Sequence, residues 1–226
     1  MTAPDPLRSV VATIDRLRSP GGCPWDAEQT HESLLPFAIE EVYEVVEAIE
    51  TGDRAGLREE LGDLLTMVLF FARIAADHPT EPFGIDDVAA DLDAKLRRRH
   101  PHVFDADGAD VDGAATATSA DVAVRWDAMK AVEKGRASVL DGVPSAMPAL
   151  ARAQKIASRA RRGGLVATPS RPVDHDARLG EHLLMLVREA DAAGVDAEGA
   201  LRQALRHWEQ ELRADEHDGR GSAPEA

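Results

Sequence analysis

The chain of 226 residues contains one cysteine, Cys23. That excludes an intramolecular disulfide and any multi-cysteine zinc site. Aromatic residues are scarce at 4%, while alanine, leucine, glutamate and arginine dominate, a balance that favours helices over sheet. No apolar run approaches the ~20 residues of a membrane span. The N-terminus (MTAPDPLRSV) lacks a basic flank followed by an apolar stretch and does not read as a signal peptide. Positive charge is in deficit, with 26 Lys and Arg against 41 Asp and Glu, for a net charge of −15. Such a surface repels phosphate backbones and anionic lipids, which argues against a general DNA, RNA or membrane binder. Neither GxxxxGK[ST] nor GxGxxG occurs, so a nucleotide site here is not built on those phosphate loops. With 44% hydrophobic residues there is enough to bury the core of one domain or of two small ones. The chain reads as a soluble, cytoplasmic, all-α protein.

Helices announce themselves by period. Leu7, Val10, Val11, Ile14 and Leu17 form an i, i+3, i+4, i+7 stripe over residues 6–17. Two prolines and two glycines mark 19–28 as a loop. Thr30 reads as the N-cap of a helix to about Glu50, with Ser33 where a capping box would carry Glu, and Asp53 as the cap of a helix to about Asp77. The middle of that helix (LLTMVLFFARIAA) is apolar nearly all round and is expected at the centre of the core. Further helices are expected over 85–99, 121–134, 147–162, 176–193 and 196–214, with a linker at 163–175. Residues 105–120 (DADGADVDGAATATSA) read as a flexible loop. An EF-hand counted from Asp105 fails at its fifth and sixth positions, Ala109 and Asp110. Residues 61–67 (LGDLLTM) resemble 179–185 (LGEHLLM) at an offset of 118, a weak internal repeat.

Acids concentrate on two consecutive helices: Glu40, Glu41, Glu44 and Glu47, then Glu59, Glu60 and Asp63. Residues three or four apart share a helix face, so Glu41 projects with Glu44 and Glu60 with Asp63. A short turn at Gly52 would bring both pairs to one space. Hard oxygen ligands without His or Cys suit Mg²⁺ or Mn²⁺. The other reading is a solvated acidic face. Two features weigh against it: the acids flank the buried stripe, and no Lys or Arg stands at i+4 from Glu41, Glu44 or Glu60. Lys95, Arg97, Arg98 and Arg99 form a second, basic cluster. It suits either the helix macrodipole or phosphate binding. Trp126 and Lys130, one turn apart, offer a stacking surface and a further phosphate contact, or an amphipathic helix surface. Cys23 has no base beside it for nucleophilic catalysis.

Taken in order, the motifs are Cys23-Pro24-Trp25-Asp26, Gln29-Thr30-His31, Glu40-Glu41-Val42-Tyr43-Glu44, Glu59-Glu60-Leu61-Gly62-Asp63, residues 99–104 (RHPHVF), and residues 126–130 (WDAMK). The chain resembles the MazG family of nucleoside triphosphate pyrophosphohydrolases over about residues 7–165. The resemblance implies an all-α helical bundle that dimerises, holds Mg²⁺ and converts an NTP and water to NMP and pyrophosphate, a role in nucleotide-pool house-cleaning among those open to it. Carried over by position, it makes Glu41, Glu44, Glu60 and Asp63 the metal ligands. Lys95, Arg99, Trp126 and Lys130 become nucleotide contacts, with Arg98 beside them. Glu40, adjacent to the ligands, is the candidate general base. The implied organisation is a catalytic helical domain over 1–104, the loop 105–120, helices completing the nucleotide site over 121–165, a degenerate second copy over 166–214 and a disordered tail over 215–226. In that second copy Arg178 and Glu181 replace Glu60 and Asp63, so it is expected to be catalytically dead. The rival readings are a non-enzymatic acidic regulator or partner-binding protein, and a di-iron carboxylate bundle. The latter would need Glu-x-x-His pairs that neither acidic helix carries.

Overall fold

The computed structural model describes residues 5–101, 103–104, 138–165 and 175–221. Among them are eight helices and no β-strand. The chain divides into two compact units, residues 1–117 and 118–226. The helix expected over 121–134 and the loop expected over 105–120 lie outside the described residues.

Unit 1 holds α1 (Pro6–Arg18), α2 (Pro24–Glu28), α3 (His31–Thr51), α4 (Arg54–Ala75) and α5 (Ile85–Arg99). Their ends follow from local chemistry. Asp5 accepts from the Leu7 amide at 2.9 Å and Pro6 sets the first turn of α1. Ser33 does take the part of Glu in a capping box. Its amide donates to the Thr30 hydroxyl at 3.2 Å, and its own hydroxyl accepts from the Thr30 amide at 2.9 Å. Gly52, at φ 74°, closes α3 in the left-handed conformation that glycine tolerates best. The Asp53 carboxylate then accepts from the Ala55 and Gly56 amides, both at 3.0 Å, and opens α4. The segment expected to be a loop at 19–28 contains α2, because Pro24 pre-sets a first helical turn once Gly21, at φ 75°, has reversed the chain.

The core of unit 1 joins Ile14, Leu34, Leu69 and Phe70, with Val10, Val11, Leu17, Phe71, Ile74 and Ile85 packed against it. Contrary to the expectation from its composition, α4 is not buried all round. It buries Leu69, Phe70, Ala72 and Ala75, while Leu61, Leu65 and Val68 stay exposed. α3 is likewise exposed along Leu35, Ile39, Val42 and Ile49. A chain of polar contacts ties the rest to α4. Arg73 bonds Asp15 of α1 at 2.7 Å and pairs with Asp77, and Arg18 reaches the same Asp77 at 3.3 Å. Arg18 also donates to the carbonyls of Asp26 and Gln29 at 2.7 and 2.9 Å, so one guanidinium fixes the middle and the C-terminal cap of α2.

Unit 2 holds α6 (Ala149–Arg162), α7 (His175–Ala193) and α8 (Ala197–Gly221). α8 runs seven residues past its expected end at 214, since no proline precedes Pro224 and the first glycine in that stretch is Gly219. α6 lies antiparallel to α7. Arg161 bonds Asp191 at 3.0 Å near one end, while at the other Gln154 donates to the Val195 carbonyl at 2.5 Å and accepts from the Ala197 amide at 2.8 Å. Asp191 stands 118 residues after Arg73, the residue that bonds α1, and the buried Val187 stands 118 after the buried Leu69. The two positions 118 apart thus each carry an ion pair to another helix, with the charges exchanged. Residues 149–162, expected to complete the nucleotide site, pack here against α7 and α8.

Arg18→Ala should cost unit 1 about 2 kcal/mol, because the Arg18 side chain is only 12% exposed and its loss strands two half-buried carbonyls and Asp77. A fall in the denaturant midpoint, with the α2 backbone losing hydrogen-exchange protection before α4 does, would show it.

Candidate metal and nucleotide site

The α3–α4 hairpin gathers the acids. Glu41 and Glu44 are one turn apart on α3, and Glu60 and Asp63 one turn apart on α4. The two-residue connection at Gly52 and Asp53 sets the helices antiparallel, so the pairs meet. One carboxylate oxygen each from Glu41, Glu60 and Asp63 lie within 4.8 Å of one another. Glu44 stands between them, within hydrogen-bonding reach of both Glu41 and Glu60. Glu40, exposed on the neighbouring position of α3, is not among the gathered carboxylates.

The electrostatics are those of crowded anions. Desolvation is the first cause that raises the Glu41 carboxyl above the ordinary 4.5, followed by the charges of Asp63, Glu44 and Glu60. Glu60 is raised likewise, by desolvation first and then by Glu44, Glu59 and Asp63. Among the described residues no Lys or Arg forms an ion pair with any of the four. A merely solvated face would splay its charges outward or interleave cations. This arrangement converges oxygens instead, and the donor set is the all-oxygen, all-anionic one that suits a hard divalent cation.

The basic cluster sits at the C-terminal end of α5, where cations also suit the helix dipole. Lys95 and Arg99 are half-buried and one turn apart, while Arg98 is exposed. Arg97 is taken up locally: it bonds Asp93 at 2.9 Å and lies over the Phe104 ring, 4.8 Å from its centroid. His100 donates through Nδ1 to the Leu96 carbonyl at 2.6 Å, and its own carbonyl accepts from the Val103 and Phe104 amides, which turns the chain sharply after α5. Trp126 and Lys130 lie outside the described residues. One residue of consequence has no sequence signal: Arg18, which holds the Cys23–Asp26 motif against Asp77, 59 positions away.

Comparison with known proteins bears on this site directly. Residues 29–104, which contain both acidic pairs and the basic cluster, match the family model for the MazG nucleotide pyrophosphohydrolase domain. An uncharacterized 26.1 kDa protein of Streptomyces cacaoi is 49% identical over 211 residues, 93% of this chain and 82% of that one. A protein of Mycobacterium tuberculosis named nucleoside triphosphate pyrophosphohydrolase is 41% identical over 223 residues; this chain spans 61% of its length. One of the same name from Escherichia coli K12 is 37% identical over 231 residues, covering 90% of this chain and 84% of its own. An identity of that size across most of both chains, with the domain match centred on the acidic hairpin, means that the chain belongs to the MazG nucleotide pyrophosphohydrolase family.

Proposed function

We propose that the chain hydrolyses nucleoside triphosphates to the monophosphate and pyrophosphate, using Mg²⁺, or Mn²⁺ in its place, held by Glu41, Glu44, Glu60 and Asp63. The observation that carries this reading is the convergence of three carboxylate oxygens within 4.8 Å, with no Lys or Arg paired to them among the described residues. The names of the relatives support the reaction. When bound, such a cation would offset the charge of the triphosphate and polarise its oxygens.

The chain's own groups divide the remaining work. Lys95, Arg98 and Arg99, with Trp126 and Lys130, bind the phosphates and stack the base. Glu40 lies beside the ligands and outside their cluster, which leaves its carboxylate available to take a proton from the attacking water. Attack falls on the α-phosphorus, and the basic residues stabilise the departing pyrophosphate. Two copies of the chain pair through the exposed faces of α3 and α4, where Leu35, Ile39, Val42 and Ile49 run beside Leu61, Leu65 and Val68. Unit 2 is a relic of the same domain, in which α7 answers to α4 at an offset of 118 and Arg178 stands where unit 1 has Glu60.

Glu41→Gln or Asp63→Asn should lower turnover about 100-fold or more with helicity unchanged, since each nearly isosteric change removes one anionic ligand. Glu181→Ala, at the position 118 after Asp63, should leave turnover within about twofold. Steady-state assays of the three variants at saturating Mg²⁺ decide between a live and a dead second unit.

The pKa directions give a stability test. Glu41 and Glu60 hold protons in the folded state to a higher pH than in the unfolded chain. Stability of the metal-free protein therefore falls as pH rises from about 4.5 through the raised values, and the full penalty persists above them. At neutral pH without divalent cation, Glu41→Gln should melt higher than the parent. Added Mg²⁺ should stabilise the parent and have little effect on the variant; differential scanning calorimetry reads both.

Hydrolysis in ¹⁸O-labelled water should place the label in the nucleoside monophosphate. Label in pyrophosphate would mean attack at the β-phosphorus and a different disposition of base and substrate. For the pairing surface, Val42→Glu should weaken the α3–α4 contact and lower the average mass in light scattering at micromolar concentration, because a charge would be buried at the centre of an apolar face.

A further inference from the structure

Beyond its first turn, α8 leaves most of its surface exposed. Its N-terminal end is tied to α6: the Glu198 carboxylate accepts from the Ala151 amide at 3.2 Å, and the Ala197 amide donates to Gln154. From Leu201 to Ala214, however, every side chain except Arg202 and Arg206 is exposed. The helix nonetheless carries an ordered apolar stripe. Leu201, Leu205, Trp208 and Leu212 recur at spacings of four, three and four, the a and d positions of a heptad, and are 48, 48, 58 and 47% exposed. Helices in proteins owe most of their stability to packing of such a face. An exposed tryptophan flanked by three exposed leucines is a surface made for a partner.

The charges beside the stripe identify that partner. With Leu201 and Trp208 at d and Leu205 and Leu212 at a, the flanking e positions are Arg202 and Glu209, and the g positions Ala204 and Glu211. If α8 met a second α8 running antiparallel, Leu201 would face Leu212 of the second copy and Leu205 would face its Trp208. The same register sets Arg202 beside Glu209 of the second copy, and Glu209 beside its Arg202. Each Ala204 would face a Glu211, so no like charges meet. The pattern is self-complementary under a two-fold axis, which is the requirement for an isologous contact. A parallel pairing would lack this match. At present Arg202 lies 3.8 Å from Glu198, and Glu209 pairs with Arg213 within the helix. The Glu209–Arg213 pair is exposed and weak enough to rearrange.

We propose that α8 is a self-association element that pairs antiparallel with α8 of a second copy of the chain, through Leu201, Leu205, Trp208 and Leu212 and the reciprocal Arg202–Glu209 pairs. This contact is separate from the α3–α4 face and does not depend on the catalytic reading. Sedimentation velocity on the full chain carrying Val42→Glu isolates it. That chain should still associate reversibly to a dimer, and adding Trp208→Glu should leave a monomer. Arg202→Glu and Glu209→Arg should each weaken association about tenfold, and the two together should restore it. Should Val42→Glu fail to fold, the same charge series in the unsubstituted chain reads the same restoration in the dissociation constant. A monomeric Val42→Glu chain at 100 micromolar would overturn the proposal, as would a Trp208→Glu chain of unchanged mass. So would a double exchange no stronger than its single members, which is the result expected if α8 binds a different protein or a different part of this chain.

Discussion

The mutual repulsion of carboxylates across the α3–α4 hairpin is the constraint around which unit 1 is built. Glu41, Glu44, Glu60 and Asp63 are forced together by a two-residue connection that leaves the helices little freedom to separate. Left to themselves, crowded anions would pry that end of the hairpin apart. The opposite end resists: Leu34 near the start of α3 and Leu69 and Phe70 on α4 are buried with Ile14 of α1. The apolar cluster thus works as a clamp at one end of a pair of levers whose other ends push apart. Stability and site chemistry lie on the same two helices and oppose each other, the usual cost of a preorganised binding site.

Much of this was legible from local patterns. Thr30 and Asp53 signal helix starts because their side chains bond amides within three residues, and Gly52 signals an end because few other residues adopt its conformation at low cost. The acidic pairs follow from helical spacing plus a short turn, and the motifs from residue 23 to residue 130 carried the family. What escaped was everything set by long-range partners. The helix at Pro24–Glu28 lies in a segment rich in breakers, and it is held by Arg18, whose other partner Asp77 lies outside any local window. The two-sided character of α4 was hidden because an all-apolar stretch gives no period from which to tell a buried face from an exposed one.

The LGDLLTM and LGEHLLM segments both lie within helices, α4 and α7. Residue matching at the same offset pairs α6 with α3, since both open 118 residues apart at His31 and Ala149. The contacts do not follow that match, because Arg161 of α6 bonds Asp191. Had α6 been a second α3, its antiparallel register on α7 would have set Arg159 near Glu181, and Arg161 could not have reached Asp191. Which side chains bond across an interface is information that a periodic pattern does not contain.

The exchanged polarity of those two ion pairs bears on how the chain avoids tangling with itself. Two helical units in one chain risk mispairing while they fold, because apolar helix faces of one suit those of the other. If α1 docked on α7, Asp15 would confront Asp191; if α6 docked on α4, Arg161 would confront Arg73. Both wrong assemblies juxtapose like charges at a partly buried position, whereas both right ones satisfy them. The reversal acts as a lock and key between the two helix pairs: it adds little to the native contact over its mirror image, and it penalises the two crossed alternatives.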